Sequence, residues 1–255
     1  KSWDNSTPEN EEANFTVGVN TITFIYDTDK PTSTITLPST QFVQSIPTIS
    51  GTIWDGLSGI SVVKVAIQDL TYSATWWNGS SWLENSTTYW IKVSTQAGSP
   101  ATWRYTSTPV LGHAAQYKIW VRAEDNAWDK NNFVESVSPN IQEPPLTYVI
   151  ICDTQAPVAK VNYPADGDIL NFLPAITGTA VDSPAGIAEG KVFVAIREES
   201  PLGGWWNPAT STFSAAAPVY STAVVTGAGP TYNWSWQSPP LTDGYRYLVQ
   251  SYAVD

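Results

Sequence analysis

Aspartates near the ends of apolar segments are the first candidates for chemistry in this chain. Asp27, Asp29, Asp125, Asp129 and Asp153 all fall where one run of strand-like sequence gives way to the next. A hard cation such as calcium takes six to eight oxygens, and clustered Asp side chains with backbone carbonyls supply them. The same residues also cap turns by bonding their own backbone. Calcium is thus one of two readings of these five, and it is the only cofactor the residues suggest. Nucleophilic chemistry is poorly served. His113 is the single His and Cys152 the single Cys, so a Ser-His or Cys-His centre has one base to draw on, and no phosphate loop or His-rich metal spacing is present. Cys152 closes the apolar run Val149-Ile150-Ile151 and reads as a small buried hydrophobe. A glycosidase pair needs two acids held ~5–10 Å apart in a cleft. Glu198 and Glu199 are adjacent, so in a strand they would face opposite ways, and a solvated loop is their expected home. Asp166-Gly167-Asp168 reads as a plain turn. The chain is not expected to be an enzyme.

Thirteen Trp are the most unusual part of the composition. Trp76 with Trp77 and Trp205 with Trp206 are adjacent, so one ring of each pair is expected to point outwards. Outward rings have three uses: covering the edge of their own domain, packing on another subunit, or stacking on sugars. Asn-x-Ser/Thr sites occur at Asn5, Asn14, Asn78, Asn85 and Asn233, and in an exported protein these are candidate glycosylation positions.

The elements that must position these residues occur twice. Asp27-Thr28-Asp29-Lys30-Pro31 returns 126 residues later as Asp153-Thr154-Gln155-Ala156-Pro157. Ile49-Ser50-Gly51-Thr52 returns as Ile176-Thr177-Gly178-Thr179, and Asp55 with Gly59 as Asp182 with Gly186, each 127 later. Trp103 matches Trp234, and Tyr117 to Asp125 matches Tyr247 to Asp255. Such self-similarity marks a tandem array of one domain type. Residues 1–29 read as the last strand segment of a preceding domain, 30–153 as one domain, and 154–255 as a second that lacks its last strand. Two explanations fit this frame. Either the chain is a window on a longer array, or it is a permuted subunit that lends its first segment to the next copy. In the second case residues 14–26 are the donated strand, with Phe15, Val17 and Val19, then Ile22, Phe24 and Tyr26 after a one-residue slip, forming its apolar side.

Hydrophobicity alternates with a period of two. Tyr117, Ile119, Val121 and Ala123 alternate with Lys118, Trp120, Arg122 and Glu124, and Tyr247, Val249, Ser251 and Ala253 occupy the matching phase. This is the pattern of half-buried strands. With 19 Pro and 16 Gly as punctuation, it predicts an all-β chain of tandem antiparallel β-sandwiches. Tyr117 and Tyr247 stand where a Tyr can tie a corner to nearby backbone. Net charge is −11, which argues against a nucleic-acid partner. No run approaches the ~18 apolar residues of a membrane-spanning helix.

Asp-Thr-x-x-Pro, Ile-[Ser/Thr]-Gly-Thr-x-x-Asp-x-x-[Ser/Ala]-Gly-Ile, Trp-Asn, a Trp-rich strand and Ala-x-Asp, carried here by Asp27 to Pro31, Ile49 to Ile60, Trp77-Asn78, Trp103 to Tyr105 and Ala123 to Asp125, resemble the bacterial and archaeal immunoglobulin-like (Big-type) modules of surface proteins. Leu241 to Tyr247 fits the family's Leu-x-x-Gly-x-x-Tyr, whereas the first copy departs from it at Leu111-Gly112-His113-Ala114. The resemblance implies immunoglobulin-like sandwiches and an extracellular, cell-surface location, but no chemistry. The expected role is a structural piece of a surface filament, sheath, S-layer or adhesin stalk, with other copies of the chain as partners. The alternative is a glycan-binding or adhesion module using exposed Trp.

Overall fold

A computed structural model describes residues 5–8, 14–72, 75–84, 87–98, 100–127, 139–200 and 203–255. These residues are all-β, with four sheets whose ladders are antiparallel but for one pair.

The first half contributes β1 (Thr32–Ser33), β2 (Phe42–Val43), β3 (Ile49–Trp54), β4 (Ile60–Asp69), β5 (Thr75–Trp77), β6 (Trp82–Glu84), β7 (Ile91–Lys92), β8 (Ser94–Gln96), β9 (Ala101–Tyr105), β10 (Gln116–Asp125) and β11 (Leu146–Cys152). One sheet runs β1-β3-β9-β8; the other runs β2-β11-β10-β4-β5-β6, with β7 also on β4. The exception to the expected antiparallel order is β2, which lies parallel to β11. It arrives as a separate excursion before β3 rather than through a hairpin. Ile49, Ile53 and Trp103 from the first sheet meet Val63, Val65, Ile67, Ile119, Val121 and Ile150 from the second in one buried core. This is a sandwich-like layering, and the period-two alternation produces it by turning every second side chain inwards.

The second half repeats the plan with β12 (Val158–Tyr163), β13 (Ala175–Val181), β14 (Val192–Ser200), β15 (Gly204–Asn207), β16 (Thr212–Ala215), β17 (Ser221–Thr222), β18 (Val224–Thr226), β19 (Thr231–Gln237) and β20 (Arg246–Ala253). Its sheets are β12-β13-β19-β18 and β16-β15-β14-β17, with β20 on the other edge of β14. Ile176, Val192, Val194, Ile196 and Trp234 form its core. Gly51 and Gly178 show why each Ile-x-Gly-Thr strand needs its glycine. A Cβ on Gly51 would stand 1.8 Å from the Thr34 carbonyl oxygen, and one on Gly178 2.0 Å from that of Lys160 and 2.2 Å from the Trp234 ring.

Both corner tyrosines do what their positions suggest. The Tyr117 hydroxyl accepts from Gly112 N–H and the Tyr247 hydroxyl from Thr242 N–H, each at 2.8 Å. Burial, opposed by that bond, pushes the Tyr117 phenol above its ordinary value.

Candidate functional site

Three carboxylates meet at the entrance to each half. Asp27, Asp55 and Asp125 bring one oxygen apiece within 4.8 Å of each other, and Asp153, Asp182 and Asp255 do the same. The two sets occupy repeat positions, and one bond of the turn recurs in both. Asp55 follows β3 and accepts from Gly59 N–H at 2.8 Å; Asp182 follows β13 and accepts from Gly186 N–H at 2.7 Å. Gly59 and Gly186 sit at φ of +73° and +79°, a conformation most residues avoid. Asp27 accepts from Ser58 N–H at 2.9 Å and Asp153 from Ala185 N–H at the same distance. Asp125 ends β10, and Asp255 follows β20.

Electrostatics differ between the sets. Burial above all, then the charges of Asp153 and Asp255, pushes the Asp182 carboxyl above its ordinary value. Ser58, its hydroxyl foremost and against a smaller effect of burial, holds Asp27 below its own. In the first set Asp55 Oδ2 is shut away from solvent with no hydrogen-bond partner, although Oδ1 of the same group is well satisfied. A buried carboxylate oxygen of this kind costs free energy unless something positive meets it. The first set also has an outer support: Asn140 donates its amide N–H to Asp125 Oδ2 at 2.8 Å and to the Asp27 carbonyl at 3.1 Å. Three convergent carboxylates, one oxygen from each, are donors of the kind hard cations take.

The expected aspartates are therefore partly gathered. Asp27, Asp125 and Asp153 join the sets. Asp29 does not; its N–H merely donates to Asp27 Oδ1. Asp129 lies outside the described residues. Asp55, Asp182 and Asp255 were visible only as repeat positions, and the shared spacing of Asp55 before Gly59 and Asp182 before Gly186 was the signal that marked the turn.

The aromatic pairs are covered within their own halves, the first of the three uses, and neither places a ring freely in solvent. Trp76 and Trp205 are buried, and Trp77 and Trp206 are half-buried. The β5–β6 hairpin folds over its own half, so Trp77 packs edge-on to Trp82 and donates to Tyr105 Oη at 3.0 Å, while Trp76 leans on Trp120. Trp206 meets Phe213 on the matching hairpin. Glu198 and Glu199 lie on β14, not in a loop, with Glu198 buried and Glu199 exposed. Asp166 to Asp168 form the expected turn, with Asp168 Oδ2 accepting from Ala165 N–H. Among the sequons Asn5, Asn14 and Asn233 are exposed, Asn78 is half-buried with its amide bonded across a turn, and Asn85 lies outside the described residues.

One edge is left unpaired. β10 pairs with β4 on one side and β11 on the other, whereas among the described residues β20 pairs only with β14. Phe15, Val17, Val19, Ile22, Phe24 and Tyr26 are all exposed. The slip in their alternation is a turn over residues 16–21, closed by Gly18 N–H to the Thr21 carbonyl at 2.7 Å.

No protein-family model matches this chain, and no curated protein matches it.

Proposed function

We propose that this chain is a load-bearing piece of an extracellular surface structure (filament, sheath, S-layer or adhesin stalk) built from tandem immunoglobulin-like β-sandwiches. The observation that carries the reading is the passage between the halves. β11 is zipped into the first half's sheet over six Cα pairs with β10, and the next residue, Asp153, enters the second half's carboxylate set. Tension along the chain is thus borne by a ladder of backbone hydrogen bonds in shear, and the join between modules has no slack linker.

Calcium is the cation proposed for the two carboxylate sets. Bound there, it would tie the segment that leaves one module to the turn after β3 or β13 and the end of β10 or β20 in the next, stiffening a hinge. The buried, unpaired Oδ2 of Asp55 supports this. Exposed Asn5, Asn14 and Asn233 are the proposed glycan positions.

Immunogold labelling of intact source cells, with negative-stain microscopy of the purified chain, tests the reading. Surface label and end-to-end polymers are expected; a dispersed intracellular label with monomers only would overturn it. Calorimetric titration with calcium should find two sites, one removed by Asp55→Asn and the other by Asp182→Asn. No heat of binding in the unsubstituted chain would remove calcium from the proposal.

A further inference from the structure

The outer face of the first half's larger sheet gathers positive charge that the fold does not need, and we infer that this face binds a carboxylated polysaccharide, a chain of uronic-acid sugars. Lys64, Lys92, Lys118 and Arg122 are four of the twelve Lys and Arg in a chain of net charge −11. The inference goes beyond the load-bearing role and stands or falls separately from it.

Strand alternation puts the four side chains together. Val63, Val65 and Ile67 of β4 and Ile119 and Val121 of β10 point into the core, so Lys64, Lys118 and Arg122 point away from it. Lys92 follows Ile91, which packs against that core, and lies opposite Lys64. Lys64 in turn lies opposite Arg122. Lys92, Lys64 and Arg122 thus form a row across three neighbouring strands. Like charges directly opposite one another destabilise a sheet. Glu124 offsets part of this by pairing with Lys64 and lying 3.7 Å from Arg122, and Glu143 lies 3.7 Å from Arg122 as well. Among the described residues Lys92 and Lys118 have no carboxylate partner.

The second half builds the same sheet without this row. In place of Lys64, Lys92, Lys118 and Arg122 it has Phe193, Thr222, Leu248 and Tyr252, each 129 or 130 residues on. Phe193 pairs with Thr222 on one side and Tyr252 on the other, the same cross-strand order. The architecture accepts a neutral row, so the cations of the first half answer to something outside the fold.

The neighbours of the row indicate what kind of anion. The Arg122 guanidinium lies 4.3 Å from the centre of the Trp90 ring, and the Lys118 ammonium 4.1 Å from that of Trp120. Both rings are half-buried. A flat ring beside a cation suits a sugar that carries a carboxylate: the ring takes the apolar side of the pyranose and the cation takes its charge. Among the described residues Trp120 Nε1 and Arg122 Nε are buried without an acceptor, so the face holds more N–H donors than acceptors. Neighbouring strands stand about 4.8 Å apart, a spacing that offers one cation to each sugar of an extended chain.

Titration of the whole chain with a short oligogalacturonate tests this, at low and high salt and with a chelator present so that no calcium bridges the partners. Saturable binding that weakens with salt is expected, with none for a neutral galactose oligomer of the same length. Lys92→Thr with Lys118→Leu takes the second half's residues at the two positions without carboxylate partners. It should weaken binding about tenfold with an unchanged melting temperature. Trp120→Gln, again the second half's residue, should weaken it further. If either variant fails to fold, Lys92→Thr alone decides, since Lys92 is exposed. No binding of the uronate, or binding that Lys92→Thr leaves unchanged, overturns the inference. A polyphosphate that binds as tightly, with Trp120→Gln without effect, makes the face a general anion site and overturns the sugar. Each of these failures leaves the load-bearing reading to its own test by surface label and polymers.

Discussion

β10 and β20 carry the same alternation in the same phase, yet they are buried to different depths. Tyr117, Ile119, Val121 and Ala123 are all buried, with Tyr117 only 3% exposed. Tyr247, Val249, Ser251 and Ala253 are half-buried, and between them Leu248, Gln250 and Tyr252 are exposed. The inward faces look onto comparable cores, so the difference comes from the neighbours. Among the described residues β10 has a strand on each side, and β20 has one. A strand's pattern therefore states which face is apolar, while the depth of burial is set by whatever pairs with its edges.

The largest expected effect separates β11 from its counterpart in residues 20–26. Ile150 is fully buried, so Ile150→Ala should destabilise the first half by about 2–5 kcal/mol through lost transfer free energy and the cavity left behind. Phe24→Ala in the monomeric chain should stay within about 0.5 kcal/mol, as a surface change does. Guanidinium unfolding of both variants measures this, and equal losses would break the comparison.

Gly51→Ala and Gly178→Ala should each cost about 1–3 kcal/mol by overpacking, because both Cβ atoms would press on backbone carbonyls. Here the halves should agree, since the first sheet of each is complete. A thermal melt that separates the two variants widely would show that the second half is loosened well beyond its open edge.

The corner tyrosines should differ again. Tyr117→Phe removes the bond that Gly112 N–H makes to a buried tyrosine and should cost about 1 kcal/mol. Tyr247→Phe should cost less, because Tyr247 is only half-buried and its bond to Thr242 N–H is open to water. Unfolding midpoints of the two variants decide this.

The smallest effect concerns pH. Burial raises the Tyr117 phenol above its ordinary 10.0, so the folded state holds that proton more tightly than the unfolded chain. The associated stability is fully present below about pH 10 and is lost as pH rises through the raised folded value. Tyr117→Phe should flatten that alkaline decline in unfolding experiments, and an unchanged slope would assign it to other groups.

Much of this was legible in residue order. The repeat, the strand periodicity, the corner tyrosines and the turn at Asp166 to Asp168 all depend on local chemistry or on spacing that a copy preserves. The Trp pairs were not. Alternation says that adjacent rings leave opposite faces, but Trp76 finds Trp120 on the outer face of the same sheet, so both faces of the hairpin are partly covered. Glu198 and Glu199 read as a loop because two acids interrupt an apolar run, yet ladder pairing carries β14 through to Ser200. The carboxylate sets were half legible. Asp27, Asp125 and Asp153 stand at junctions, but Asp55 and Asp182 looked like turn residues, which they also are.

The sequence by itself determined that this is an all-β chain saying one thing twice, with its aspartates and tyrosines at matching places, because side-chain alternation and turn chemistry are written within a few residues. Only the tertiary structure decided that three distant aspartates converge in each half, and that adjacent Trp rings are covered on both faces of a hairpin. Convergence and edge pairing join residues far apart in the chain, and no local pattern records which edge has found its partner.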